Sequence, residues 1–180
     1  MKTLKIKDDA KTPTSELLAK CKDKFKVWSI WDDTELDKLF PIPKEPTTRE
    51  FAKVQEAEDF AGKSTQDLVN EGLAKECCTL RERLIMELVY FEKTGNHLDE
   101  NVITFCAGSP LPGGGVPYVY FTRHDGTVDV SYDGVQKAND DLRFRRAVSL
   151  SPSLSSNPSD LESRVSKLEE QMKKISEATK

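Results

Sequence analysis

Histidine is scarce in this 180-residue chain, which holds only His97 and His124. Any imidazole-based metal centre or acid–base site is confined to those two positions. His97 with Asp99, or His124 with Asp125, are the available ligand pairs. Each falls in an expected loop or turn, so both read as exposed turn residues, and no metal site is expected. The four cysteines, Cys21, Cys77, Cys78 and Cys106, lack the spacing of a disulfide scaffold. Adjacent Cys77 and Cys78 would bridge each other only with strain. The thiols are therefore expected reduced and buried, in an intracellular setting. Positive charge is not in excess: a formal net charge of −4 gives no general attraction to nucleic acid or to an anionic membrane. No apolar run approaches the roughly 20 residues that span a bilayer. The basic N-terminus has no apolar segment behind it, so no secretion signal is expected.

Other absences bear on chemistry. Gly113-Gly114-Gly115 runs into Val116-Pro117 and a strand, so it lacks the helix N-terminus of a phosphate cradle. No cofactor is expected. Ser109 and Ser149 have no nucleophile-elbow context. A Cys106 nucleophile requires a nearby base. A small hydrolase or transferase using Cys106 and His124 is one reading to test, and a non-enzyme is the expectation.

What is present centres on Val116–Leu150. Tyr118 to Phe121 is aromatic and β-branched, which suits a pleated, half-buried surface. Val128, Val130 and Tyr132 alternate with Thr127, Asp129 and Ser131 at the period of a strand. Asp125-Gly126 between them fits a tight hairpin turn. Val102 to Cys106 reads as a short buried strand, joined to the hairpin by the glycine-rich loop Ala107–Gly115. Leu142 to Leu150 reads as a closing strand.

The first half reads as helical. Met1 to Lys11 is charged and aperiodic, an expected frayed arm. Thr12-Pro13 opens a helix carrying Leu17, Leu18, Cys21 and Phe25. Val27 to Trp31 is an apolar cluster whose two tryptophans are expected as core anchors. Asp32, Asp33 or Thr34 caps a short helix through Leu36, Leu39 and Phe40. Thr47-Thr48-Arg49-Glu50 matches a capping box, predicting a helix with Phe51, Val54 and Ala57. Ser64 to Asp67 repeats the signal, within an acidic region, Ala52 to Glu76, expected to be mobile or loosely packed. Thr79-Leu80-Arg81-Glu82 is a second clean capping box. Leu80, Leu84, Ile85, Leu88, Val89 and Phe91 follow as a wide apolar stripe. Gly95 is placed for a left-handed cap. Arg81, Glu82, Arg83, Glu87 and Lys93 read as the solvated face of that helix.

Residues 151–158 are rich in serine and proline, a linker composition. Ser159 then caps a helix in which Val165 and Met172 fall at a, and Leu161, Leu168 and Ile175 at d, of a heptad seam. Arg164 at g faces Glu169 at e′ of a parallel neighbour. An isolated helix of this length is marginal in water. The seam therefore predicts a parallel dimer or trimer, the alternative being a helix folded back on its own domain.

Arg143, Arg145 and Arg146 form the densest basic cluster. In a strand, Arg143 and Arg145 lie on one face, with Phe144 and Arg146 on the other. The cluster is a candidate grip on phosphate or carboxylate, or a set of ion pairs within the fold. Tyr118-Val119-Tyr120-Phe121, the turn His124-Asp125-Gly126, Val128-Asp129-Val130 and Phe144-Arg145-Arg146-Ala147-Val148 together resemble the closing strands of C-type-lectin-like domains. The nearest branch is the bacterial and phage one that includes formylglycine-generating-enzyme-like domains, with Arg145 corresponding to the family's closing arginine. The resemblance implies a display scaffold and a bacterial or phage origin, hence a cytoplasmic or virion-associated protein. It carries over no active-site residue.

The expected fold is α+β: a helical N-terminal half on a small antiparallel sheet, then a linker and a short coiled coil. The domains are an arm at 1–11, a globular domain at 12–150, a linker at 151–158 and a coiled-coil helix at 159–180. The expected function is a non-catalytic binding or structural protein, with itself and an unknown protein as partners. Candidate partner contacts are Tyr118, Tyr120, Arg143 and Arg145. The alternative is an intracellular regulator that holds nucleic acid or a protein through Arg143–Arg146.

Overall fold

The computed structural model describes residues 3–52 and 55–149. Linker residues 151–158 and seam residues Leu161, Val165, Leu168, Met172 and Ile175 lie outside these, as do Val54 and Leu150. The described chain is mixed α and β, with four α-helices and two sheets.

Thr3–Asp8, expected to be a frayed arm, instead forms strand β1, with Leu4, Ile6 and Asp8 turned inward and Thr3, Lys5 and Lys7 outward. Helix α1 (Thr14–Lys22) follows; Pro13 rather than Thr12 stands at its N-cap, without a side-chain cap bond. Val27–Ser29 is a short strand, β2. The two tryptophans part company there: Trp31 is buried and Trp28 is 51% exposed. Helix α2 (Asp33–Leu39) has the full Asp32/Glu35 capping box.

Thr47–Ala52 is strand β3, not a helix. Thr47-Thr48-Arg49-Glu50 satisfies the capping template, yet its β-branched start also suits a ladder. Six-residue antiparallel pairing with β1, Thr3↔Ala52 through Asp8↔Thr47, decides between them, since tertiary pairing overrides local propensity.

The acidic region is ordered where described. Ser64 and Asp67 form a capping box on α3 (Thr65–Asn70), a 3₁₀ turn spans Ala74–Glu76, and Leu68 is fully buried. Helix α4 (Leu80–Thr94) starts on the Thr79/Glu82 capping box and ends at Gly95, with φ +71°. Strands β4 (Ile103–Phe105), β5 (Gly115–Thr122) and β6 (Thr127–Gly134) then give the expected hairpin, with Gly126 at φ +65° in its turn.

The closing strand is divided. β7 (Leu142–Arg143) pairs in parallel with β4, whereas β8 (Ala147–Ser149) pairs antiparallel with β3. One sheet therefore has the order β1-β3-β8, and the other β2-β6-β5-β4-β7. The sheets are not purely antiparallel, because β2–β6 and β4–β7 are parallel pairs.

Helix α4 contacts β1 of the small sheet, β5 of the large one, and α1. Its residues join Leu4, Ile6, Leu18, Val119, Val128 and Val130 in the main core. The opposite face of the large sheet carries a second core of Phe105, Val116, Leu142 and Phe144, covered by Leu68. Cross-strand register continues that second face outward through Tyr120, Asp129 and Trp28.

Candidate functional site

The helix with the strongest apolar stripe also holds the most unusual charges. Arg81, Glu82, Arg83 and Glu87, read as a solvated face, are each at most 5% exposed; Lys93 is exposed. Core lies on several sides of α4, so these four charged side chains point into the protein as well. A buried charge is tolerated only when it is paired and hydrogen-bonded, and these are.

At the centre is Asp99, fully buried, with φ +58°. Its Oδ1 accepts from Arg145 Nη2 at 2.5 Å and from the Ala57 amide at 2.9 Å. Its Oδ2 accepts from Arg83 Nε at 3.0 Å and Thr104 Oγ1 at 2.6 Å. Arg83 Nη1 continues to Glu87 Oε2 at 2.6 Å, and Glu87 Oε1 lies 2.9 Å from His97 Nδ1. Arg145 also donates to the Gln55 carbonyl at 2.7 Å.

Burial alone would raise the Asp99 carboxyl, but Arg145 and Arg83 outweigh it and hold the group below the usual carboxylate value. Burial would lower Arg83; Asp99 and Glu87 overcome it, and the guanidinium stays charged. Two guanidiniums and two carboxylates leave this network with no net formal charge, as befits a structural lock.

His97 and Asp99 are thus not exposed turn residues. The imidazole stacks on Phe121 at 4.1 Å and 11°, with Phe91 at 4.8 Å and Phe25 edge-on at 5.0 Å. Its side chain keeps 13% exposure. The rings of Phe121 and Phe91 pack against the imidazole.

A second network lies at the start of α4. Arg81 grips Asp8 with Nε to Oδ2 at 2.7 Å and Nη2 to Oδ1 at 2.8 Å, the bidentate fork that guanidinium geometry favours. It also reaches Thr14 Oγ1 and the Thr12 carbonyl, both at 2.8 Å. Arg49, projecting from β3, donates to Glu82 Oε2 and the Cys77 carbonyl, each at 3.0 Å. Asp8, Arg49, Arg81 and Glu82 line a cleft of about 370 Å³ together with Leu39, Phe40, Pro41, Pro43 and Ser109.

The residues singled out in the sequence are dispersed. Tyr118 and Tyr120 are half-buried, 6.0 Å apart, and Tyr118 stacks on Phe105 at 5.6 Å. Arg143 donates to the Asp140 and Leu142 carbonyls. Arg145 turns inward at 4% exposure, so it is no surface contact, and Arg143 and Arg145 do not share a face because the strand breaks between them. Arg146 is exposed and pairs with Glu76 at 2.6 Å.

Cys106 is fully buried beside Cys78, and burial lifts its thiol well above the ordinary value. His124 stands exposed at the hairpin tip. The Cys106–His124 reading is therefore corrected: a buried, protonated thiol and an exposed imidazole are not a nucleophile and its base. Among the described residues, no cluster of three or more His, Cys, Asp or Glu is placed to hold a metal ion. Also among them, no helix is long and apolar enough to cross a membrane.

Comparison with family models, with curated proteins and with solved structures gives no match for this chain. Asp8, Arg49, Arg81 and Glu82 were not anticipated as a group. The one available signal was the acid–base crowding of Arg81-Glu82-Arg83 at the start of a helix with a wide apolar stripe.

Proposed function

We propose that the protein is a non-catalytic binding or structural protein, in which residues 3–52 and 55–149 belong to one head. Leu161, Val165, Leu168, Met172 and Ile175 join several heads through a parallel two- or three-stranded coiled coil. The linker at 151–158 lets them engage a surface together. Linked sites gain avidity from effective concentration without any new contact. The earlier resemblance to C-type-lectin-like closing strands fits this reading as a display scaffold, in a cytoplasmic or virion-associated protein.

The observation that carries the proposal is the contrast between buried charge and exposed apolar surface. Arg83, Glu87, Asp99 and Arg145 are turned in on one another. Trp28 and Ile30, by contrast, stand 51% and 45% exposed at the edge of the large sheet. Trp28 is in register with Asp129, which pairs with Tyr120. An aromatic side chain on an open sheet face can anchor a protein contact, and the formal net charge of −4 favours a protein partner over a nucleic acid. Arg143 and Arg146, held by Asp140, Leu142 and Glu76, give the nucleic-acid alternative little support.

The test is the mass of the full chain and of a chain ending at Pro158, by light scattering. The full chain is expected at two or three times the mass of one copy, and the shortened chain at one. Leu168→Asp in the full chain is expected to match the shortened form. A full chain of single-copy mass, or a shortened chain of unchanged oligomeric mass, overturns the role given to the seam.

A further inference from the structure

We propose that the cleft between α2, β3 and the start of α4 is a binding site for a small carboxylic acid with a short apolar body. Three observations converge on it. First, its floor holds charged side chains that are almost wholly buried: Asp8, Arg81 and Glu82 are each at most 5% exposed. Arg81 answers Asp8, and Arg49 answers Glu82, so the floor has no net formal charge. A multiply charged anion such as phosphate would lose its hydration there without a compensating cation. A carboxylate carries a single charge, and beside the exposed lining residues Pro41, Thr47 and Pro110 it keeps part of its hydration while hydrogen-bond donors answer the rest.

Second, donors are in excess. Ser109 Oγ accepts from the Leu80 amide at 3.1 Å, and Thr79 Oγ1 accepts from the Glu82 amide at 3.1 Å. Among the described residues neither hydroxyl proton has an acceptor, and both can turn to donate. Arg49 Nε is buried and has no hydrogen-bond partner among the described residues. A buried donor left unanswered costs about 1–3 kcal/mol, and an acceptor oxygen in the cleft would recover it.

Third, the walls are apolar and close at hand. Leu39, Phe40, Pro41 and Pro43 face this floor across about 370 Å³, a size suited to a small organic molecule. Gly108 holds the far wall in place. A Cβ there would stand 2.7 Å from the Cys77 carbonyl oxygen and 3.0 Å from that of Cys78, so only glycine lets Ser109 come this near to α4.

The experiment is a titration of the full chain with butanoate, followed by amide NMR, with butylamine and inorganic phosphate as comparison probes. Saturable shifts are expected for the amides of Thr79–Glu82 and Gly108–Ser109 with butanoate, at roughly millimolar affinity for so few atoms. Ser109→Ala is expected to weaken butanoate roughly tenfold by removing one donor. Because Ser109 also answers the Leu80 amide, a second pair of variants leaves the floor untouched. Pro43→Glu at the mouth is expected to weaken butanoate, and Pro43→Lys to strengthen it. The proposal is overturned by the lack of saturable shifts at these amides, by butylamine or phosphate binding there as well as butanoate, or by equal butanoate affinity in the two Pro43 variants.

Discussion

Arg83 and Arg145 meet on one carboxylate. Asp99 gives Oδ2 to the first and Oδ1 to the second, with all three side chains at most 4% exposed. Asp99→Asn keeps the shape but leaves two buried guanidiniums facing a neutral amide. Removing one member of a buried ion pair typically costs about 3–5 kcal/mol. Urea unfolding of the variant is expected to show a loss of that order with an unchanged slope. A loss under about 1 kcal/mol, the level of an exposed pair, would show that the network contributes little.

Acid should act through the same residue. The Asp99 carboxyl lies below its ordinary value because Arg145 and Arg83 overcome the effect of burial. A lowered carboxyl stabilises the fold fully above the unfolded value, near pH 4, and that contribution is lost as pH falls through the folded value. Urea midpoints measured from pH 6 downward should therefore hold steady and then drop below about pH 4. In Asp99→Asn the drop should be shallower, since this carboxyl no longer takes up a proton on unfolding.

Alkali should act through the thiols. Burial, with Glu87 adding, pushes Cys21 up to about 12; burial, with Cys78 and Asp59 adding, pushes Cys77 to about 12. An unfolded thiol ionises near pH 8.5. Unfolding therefore releases protons above that pH, and the stabilisation is whole below it and lost as pH rises towards the folded values. Comparing Cys21→Val with the parent by urea unfolding at pH 7 and pH 10 should show the variant losing less. Equal losses would mean that Cys21 is not the group responsible.

Gly108→Ala tests the tightest surroundings of any glycine among the described residues. The new methyl would lie 2.7 Å from the Cys77 carbonyl oxygen. Forcing an extra group into a packed site typically costs about 1–3 kcal/mol. Thermal unfolding should register that loss, whereas Gly113→Ala, where the methyl meets nothing within 4 Å, should stay close to the parent.

Elements with a strong local signature were legible in the sequence. The β5–β6 hairpin shows an aromatic run, a two-residue period and a turn glycine within nineteen residues, 116–134. Helix α4 announces both ends, with Thr79/Glu82 at one and Gly95 at the other. What failed depended on distant partners. Thr47-Thr48-Arg49-Glu50 fits a capping box until β1 pairs with it. Arg83 and Glu87, four apart, look the same whether water or core surrounds them, and their burial depends on Asp99 and Arg145 elsewhere in the chain. The basic run Arg143–Arg146 looked continuous, but the chain crosses between sheets inside it. The floor of the cleft was hidden for the same reason, since Asp8 and Arg81 meet only through the fold.

That crossing has a consequence for how the head assembles. The small sheet consists of the earliest strand, a middle one and the latest. Asp99 and Arg145, like Asp8 and Arg81, clasp each other across long loops that must close first. Chains dominated by such distant pairings acquire their native form slowly. A ribosome-tethered fragment that stops short of residue 147 would have the carboxylates of Asp8 and Asp99 in place and an open edge on β3 where β8 belongs.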